Sequence, residues 1–267
     1  MANPSGNPYC SPPINASVEV RVRRLILRHT LCGFLLALSA SLVHAAATLQ
    51  LIPFQAQFSV SRNGIQLGRL ELQLEISATG EYSYTGHTIP APLVRLFYSD
   101  EIHETSHGRY QGDTIIPLQY EHRRLRQGEQ EKLTRLDFDW ADKKVWSESE
   151  GSRWAQAVTP GSQDKVSQQL ALRLDLAAGK ERTSYAVADG GRIKTYHFKV
   201  VGRETIKLPN GRLKCLRVRR SKGTRPPDYT IWIAPELDYL PVKIERKRSS
   251  GLYKICLLYT SPSPRDH

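Results

Sequence analysis

The sequence predicts a mostly β protein, an antiparallel curved sheet or open barrel-like β domain with one packed α-helix at about residues 164–179. Three observations support this prediction. Apolar and polar residues alternate along many short segments, turn-forming residues separate those segments, and a single segment has the period of a helix.

The clearest strand is "GRLELQLEIS" at 68–77, where Leu70, Leu72, Leu74 and Ile76 alternate with acidic and amide residues. Asn-Gly and Gly-Gly pairs favour hairpins at 189–191 and 210–211, because glycine and asparagine tolerate a positive φ. The remaining single strands are predicted at 54–60, 82–89, 100–110, 116–125, 132–140, 143–149, 228–234 and 240–248. Residues 184–202 and residues 204–220 are each predicted to form a hairpin of two strands.

The helical segment is "DKVSQQLALRLDLAAGK" at 164–180, which puts Val166, Leu170 and Leu174 on one face. Asp164 can cap its start and Gly179 can end it. We expect this helix to pack across the sheet as a plug.

The N-terminal 45 residues predict a secretory signal peptide. Four arginines precede the 13-residue apolar run 31–43, which is too short to span a bilayer, and small residues follow it. Cleavage near Ala45 or Ala47 would release a periplasmic protein. Residues 1–17 lie upstream of the four arginines. Their position is consistent with a start codon that was assigned too early.

The rest of the chain is predicted as one β-rich domain, 46–255, followed by a suspect tail. The tail, 256–267, ends in "CLLYTSPSPRD", which resembles the translation of a sequencing adapter and indicates a non-native end. Cys215 would then be a lone, half-buried thiol on a strand.

Charge is unevenly distributed in the predicted mature chain. Residues 46–191 carry 16 Lys/Arg and 19 Asp/Glu, whereas residues 192–254 carry 17 Lys/Arg and 5 Asp/Glu, a net of +12. For an exported protein we expect an anionic lipid, an envelope polymer or an envelope protein as partner, and no nucleic acid. A solvated basic face without a ligand is the alternative. The candidate binding residues are Arg217, Arg219, Lys243 and Arg246, with the last two expected to face outward.

A metal site is the alternative suggested by "HETSH" at 103–107, which matches H-E-x-x-H through His103, Glu104 and His107. The flanking residues favour a strand instead of a helix. On a strand the two histidines share a face about 13 Å apart, too far for one zinc ion. We therefore predict no metal here.

No nucleophile elbow, phosphate-binding loop or dinucleotide motif is present, so the sequence predicts no cofactor and favours a protein that is not an enzyme. Aromatic residues are numerous among the strands. They are consistent with a filled core, which we favour, or with a curved sheet that holds an apolar ligand.

The segment "YTIWIAPELDYLPVKIER" has two apolar alternating runs around a corner with two prolines. Because proline interrupts ladder pairing, we interpret the corner as structural and assign that role to Trp232, Pro235, Tyr239 and Pro241.

With "DFDWADKKVW", "QDKVSQQLALRLDLAAG" and "YAVADGGRIKTYHFKVVGRETIKLPNGRLKCLRVRR", this segment resembles the exported proteobacterial proteins grouped as domain-of-unknown-function family 3108. The resemblance covers about residues 54–252. It implies an exported, mostly antiparallel β protein and no agreed activity, cofactor or catalytic residue.

The function we favour is a periplasmic β-sheet protein that binds an amphipathic envelope molecule or an envelope protein. The first alternative is a structural or assembly module without a small ligand. The second is a zinc-dependent hydrolase that uses residues 103–107.

Overall fold

The computed structural model describes residues 50–262 except 97–99, 210 and 228. The predicted signal peptide, the turn residue Asn210 and residues 263–267 of the suspect tail lie outside the described residues. No helix in the described part of the chain is both long enough and apolar enough to cross a bilayer.

The described residues form 15 strands, one α-helix and two 3₁₀ helices. The strands in the first half are β1 Phe54–Arg62, β2 Ile65–Ile76, β3 Glu81–Pro90, β4 Glu101–Gln111, β5 Thr114–Leu125, β6 Lys132–Asp139, β7 Lys144–Ser149, β8 Ser152–Ala157 and β9 Gln163–Asp164. Helix α1 is Ser167–Ala177, and the 3₁₀ helices are Val94–Leu96 and Pro235–Leu237. The later strands are β10 Arg182–Ala188, β11 Ile193–Leu208, β12 Gly211–Lys222, β13 Tyr229–Ala234, β14 Leu240–Arg248 and β15 Gly251–Pro262.

All strands belong to one curved sheet with the order β8-β7-β6-β5-β4-β3-β2-β1-β15-β14-β13-β12-β11-β10-β9. The pairing is antiparallel throughout except for the short parallel pair β9–β10. Strands β8 and β9 are the edges, so the ladder of hydrogen bonds does not close. The predicted fold class, an open barrel-like antiparallel β domain with one packed helix, is confirmed.

The alternation predicted for β2 sets the two faces of the sheet. Leu70 and Leu72 point to the same side as Phe58 and Tyr84 on the neighbouring strands, and Leu74 is fully buried. We call this side the inner face and the opposite side the outer face. Because side chains alternate with period two, the register assigns every other strand residue to one of these faces.

Several bulges bend the strands so that the sheet curves around its inner face. Register shifts interrupt β1–β2 at Val60/Ser61, β4–β5 at His107/Gly108 and β11–β12 at Val200/Gly202. Bulges increase local twist and bend the strand that carries them.

Helix α1 lies against the inner face, and both of its sides are buried. Leu170 and Leu174 pack with the core of β1, β3 and β5–β7, whereas Leu172 and Leu176 pack with β10–β13. The predicted plug is therefore present. It begins at Ser167, three residues later than expected, because Gln163 and Asp164 pair with β10 as a short strand.

Asp164 still organises the start of this helix. Its Oδ1 accepts hydrogen bonds from the backbone N–H groups of Val166 and Ser167, both at 2.7 Å. Its own N–H donates to Ser167 Oγ at 2.9 Å. Ser106 on β4 donates to Asp164 Oδ2 at 2.7 Å and lies 3.1 Å from the Tyr82 hydroxyl. This fully buried network fixes the helix to β3 and β4.

The strand predictions need correction at β11, and β8, β9 and β15 had no prediction at all. Strand β11 is continuous from Ile193 to Leu208, whereas the sequence suggested a break near 203; the bulge at Val200/Gly202 absorbs the irregularity without ending the strand. Strand β8 was not predicted. A turn in which Glu150 and Gly151 both have positive φ joins it to β7, the geometry of a tight hairpin. At the C-terminal end, β15 pairs with β1 as far as Pro262.

Asp189 ties together the hairpin of β10 and β11. Its Oδ2 accepts hydrogen bonds from Tyr196 at 2.7 Å, Lys222 at 3.0 Å and Lys194 at 3.1 Å. Burial alone would raise its pKa, but these three donors hold the pKa of Asp189 well below its usual range.

We expect Asp189→Asn to lower the free energy of unfolding at pH 7 by about 1–3 kcal/mol. A depressed folded-state pKa adds stability that is present above the unfolded pKa of about 4 and is lost as the pH falls below it. Urea unfolding at pH 7 and pH 3 should therefore show a smaller pH dependence for Asp189→Asn than for the wild type. The exposed Asp142→Asn is the control; equal slopes for all three proteins would contradict the assignment.

Candidate ligand-binding cavity

A cavity of about 270 Å³ lies between helix α1 and the inner face of the sheet. Its volume is near the lower end for small-molecule sites, which span about 300–1,000 Å³. Most of its lining is apolar and comes from strands on both sides of the β1–β15 pair, together with the helix. Representative lining residues are Phe58, Leu70, Leu72, Leu172, Ile231 and Ile244. The sequence favoured a filled core, but the interior contains this cavity as well as a packed core.

Arg173 of helix α1 is the most unusual polar residue in this lining. It is 3% exposed, and its Nε donates to the backbone oxygen of Asp238 at 2.9 Å. Its guanidinium also lies 4.9 Å from the ring centre of Phe54. Its Nη1 has no hydrogen-bond partner, and the guanidinium forms no carboxylate ion pair, among the described residues. Burial lowers the pKa of Arg173, yet arginine keeps its charge in proteins.

A second polar group in the cavity is internally compensated. Glu104 Oε1 accepts hydrogen bonds from the Tyr120 hydroxyl at 2.6 Å and from Lys165 Nζ at 2.9 Å. Burial alone would raise the pKa of Glu104, but Lys165 and Tyr120 keep it below its usual value. Burial, together with the Glu104 carboxylate, raises the pKa of Tyr120. This trio therefore adds no net charge to the cavity and joins the start of the helix to β4 and β5.

Aromatic rings and arginines alternate on the inner face of the later strands. Tyr229 faces Arg220 on β12 and Arg246 on β14 in register, with guanidinium-to-ring distances of 3.6 and 4.7 Å. Arg220 also lies 4.7 Å from the Tyr196 ring. These stacks hold large cations against apolar rings, as cation–π contacts do.

The four predicted binding residues do not share one face. Arg217, Arg219 and Lys243 lie on the outer face, where Arg217 Nη1 is 2.6 Å from Glu204 Oε1 and Lys243 lies 4.1 Å from the Trp232 ring centre. Arg246 lies on the inner face, so its expected outward direction is wrong. The bulge between Trp232 and Ile233 shifts the pairing of β13 with β14, but Arg246 keeps the side of Ile244. Their role in binding stays a prediction.

The predicted metal alternative is not assembled. Residues 103–107 are in the middle of β4, and a strand places Glu104 on the inner face but His103 and His107 on the outer one. His107 is exposed and Glu104 is committed to Lys165 and Tyr120. These three side chains therefore cannot bind one ion together.

The four corner residues lie at the junction of β13 and β14: Trp232 is in β13, Pro235 and Tyr239 are in the connection, and Pro241 is paired within β14. Pro235 begins a 3₁₀ helix, Tyr239 has a left-handed backbone with φ of 59°, and Pro241 is buried opposite Ile233. The indole of Trp232 donates to Glu204 Oε2 at 2.8 Å and is 6% exposed. The corner also presents the carbonyl of Asp238 to Arg173, so this segment positions a residue of the cavity.

Cys215 is buried and not disulfide-bonded. Burial, and to a smaller extent Glu236, raises the pKa of its thiol to about 11. A thiol with this pKa is almost entirely protonated at neutral pH, which argues against a nucleophilic role.

Sequence reasoning missed Arg173, the residue that distinguishes the cavity. The available signal was its position between Leu172 and Leu174 in a helix expected to plug the sheet. A charged residue that interrupts such a segment must either reach solvent or find a buried partner. No feature of the sequence indicated that Glu104 pairs with Lys165, because 61 residues separate them and only the fold brings them together.

Comparison with known proteins agrees with this architecture. The profile of the family described as "Protein of unknown function (DUF3108)" matches residues 57–257. The chain belongs to this family. No curated protein matches the sequence.

Among solved structures, a crystal structure titled as a beta-barrel-like protein of DUF1849 from Brucella abortus matches with a TM-score of 0.57 and 10% identity. The match covers 81% of this chain and 100% of that one. LprF from Mycobacterium bovis is matched at a TM-score of 0.22 and 13% identity, covering 82% of this chain and 90% of that chain. At 10% identity, the match to the DUF1849 structure supports only the barrel-like fold of this DUF3108 chain.

Proposed function

We propose that this DUF3108 protein binds a single-chain amphipathic molecule with an anionic head group in the cavity beneath helix α1. The observation that carries the proposal is Arg173, a buried cation without a carboxylate partner among the described residues, in the wall of an otherwise mostly apolar cavity.

The charge of Arg173 is costly to bury without a counter-charge. Removing an ion from water is unfavourable by several kcal/mol, and a buried charge is normally paired. The carbonyl of Asp238 supplies one neutral acceptor, and the Asp238 carboxylate acts on the guanidinium from a distance without forming an ion pair with it. A carboxylate or phosphate head group would supply the opposite charge, and a guanidinium can donate two parallel hydrogen bonds to either.

The size of the cavity limits the apolar part of the ligand. About 270 Å³ is small for a lipid with several acyl chains and suits one short chain or a compact apolar body. The basic composition of residues 192–254 favours the approach of an anion. We further propose that the chain is exported to the periplasm, as the N-terminal 45 residues suggest, so that the ligand is a component of the cell envelope.

Titration calorimetry with three matched probes tests this function. Dodecanoate is expected to bind with one site per chain and at least about tenfold more tightly than dodecanol, because only the acid compensates Arg173. Dodecylammonium is expected not to bind. Thr88 lines the cavity, and Thr88→Phe should abolish dodecanoate binding by occupying the space. Equal affinity for the three probes, or full binding by Thr88→Phe, would contradict the proposal.

A further inference from the structure

Two histidines and a glutamate meet on the outer face of β3 and β4, away from the cavity. His87 and His103 lie directly opposite each other in the β3–β4 register, and their rings stack with centres 3.8 Å apart. Glu101 precedes His103 by two residues and therefore shares its face. The Glu101 carboxylate oxygen Oε1 is 2.7 Å from His87 Nε2 and 3.4 Å from His103 Nε2.

We propose that His87, Glu101 and His103 form a binding site for a divalent transition-metal ion such as Zn²⁺. In the described part of the chain, this is the one group in which three such side chains each offer a ligand atom within 4.8 Å of the others. The inference is independent of the proposed cavity function, because the three side chains lie on the opposite face of the sheet.

The distances fit the geometry of zinc. Zinc binds imidazole nitrogen at about 2.0–2.1 Å and carboxylate oxygen at about 2.0–2.2 Å, usually as a tetrahedron. The ligand atoms of such a tetrahedron are separated by about 3.3 Å. The two separations of 2.7 and 3.4 Å to the Glu101 oxygen are close to this value. Binding also requires the two stacked imidazoles to tilt so that both ring planes point at the ion. Three protein ligands leave the fourth position for water.

The surroundings hold the carboxylate and keep the site near solvent. The second oxygen of Glu101 lies 3.5 Å from Arg95 Nη2, so Oε1 can bind metal while Oε2 stays oriented by the guanidinium. Side-chain exposure of 30%, 32% and 41% for His87, Glu101 and His103 gives an ion direct access. Beyond the site, Glu71 lies opposite His87 on the same face, where it forms an ion pair with Arg69 at 3.0 Å.

A further cation, Arg123, lies opposite His103 on β5. Its charge is compensated by Glu121 and Glu131, at 3.3 and 3.2 Å from its guanidinium nitrogens. Arg69, Arg95 and Arg123 are thus each paired with a carboxylate, which limits their repulsion of a divalent ion. The site crosses from β3 to β4, and a bound ion would fasten these strands together on their outer face.

Calorimetric titration of the untagged full chain with ZnCl₂ tests the site. The expected result is one high-affinity zinc per chain, with affinity reduced at least about thirtyfold in His87→Ala and in Glu101→Gln. The matched control is His107→Ala, because His107 lies on the same face of the same strand but outside the group. This variant should bind like the wild type.

Cobalt provides a second readout that does not depend on heat. Co²⁺ in a tetrahedral site with two imidazoles absorbs visible light, and the bands should be present in the wild type and in His107→Ala but absent in His87→Ala. The proposal is overturned if the wild type binds no zinc, or if His107→Ala weakens binding as much as His87→Ala. Circular dichroism of each variant separates loss of the site from loss of the fold.

Discussion

Replacing Asp164 by alanine is expected to lower the free energy of unfolding by about 3–5 kcal/mol, the largest stability effect of any single change considered for this fold. The substitution leaves two backbone N–H groups at the start of helix α1 and the hydroxyl of Ser106 without their acceptor. Each buried donor that loses its partner costs about 1–3 kcal/mol. For a folded region of this size the melting temperature should fall by about 10 °C.

The control for this experiment is Asp164→Asn. The amide oxygen can still accept from Val166 and Ser167, and the Ser106 hydroxyl can rotate to accept from the new NH₂ group. We therefore expect a loss of about 1 kcal/mol for asparagine, well below that for alanine. Urea unfolding at pH 7 measures both. A loss below about 1 kcal/mol for alanine would show that Asp164 does not anchor the helix.

The second large effect concerns Arg173. Arg173→Met keeps an unbranched apolar side chain in the cavity wall but removes the positive charge. Affinity for dodecanoate is expected to fall about 30- to 100-fold, the loss of a charge-assisted bidentate contact, while affinity for dodecanol stays unchanged. The measurement is parallel calorimetric titration of the two probes.

Stability distinguishes a ligand-binding arginine from a structural one. Because Arg173 has no ion-pair partner among the described residues, Arg173→Met should change the free energy of unfolding by less than about 1 kcal/mol without ligand. Arg173→Lys keeps the charge without the planar fork, and its affinity for dodecanoate should lie between those of the other two proteins. A strong loss of stability with unchanged dodecanoate affinity would assign Arg173 to the fold instead.

The overall fold could be predicted from the sequence because its signals are local. The alternation in 68–77 sets the faces of β2, and the helical period in 164–180 predicts α1. Turn residues located most hairpins. The prediction that a strand ends near residue 203 was wrong because a bulge and a turn have similar sequence patterns. Only the pairing with β12 shows that β11 continues.

The two sites could not be predicted because both depend on register. His103 was recognised within "HETSH", yet its neighbours in space are His87, 16 residues earlier, and Glu101, instead of His107. A one-residue change in pairing would have put His87 on the other face. Likewise, the burial of Arg173 without a carboxylate ion pair can be recognised only when the corner at Asp238 and the helix are placed together.

Native mass spectrometry of the full-length chain, expressed with its own N-terminal segment and purified gently from the periplasmic fraction, tests the central claim most directly. We expect one extra mass per wild-type chain, released on denaturation as a single-chain organic acid or phosphate, and absent from Thr88→Phe. A bare mass for the wild type that persists after incubation with dodecanoate would contradict it. The protein would then be better described as a structural or assembly module.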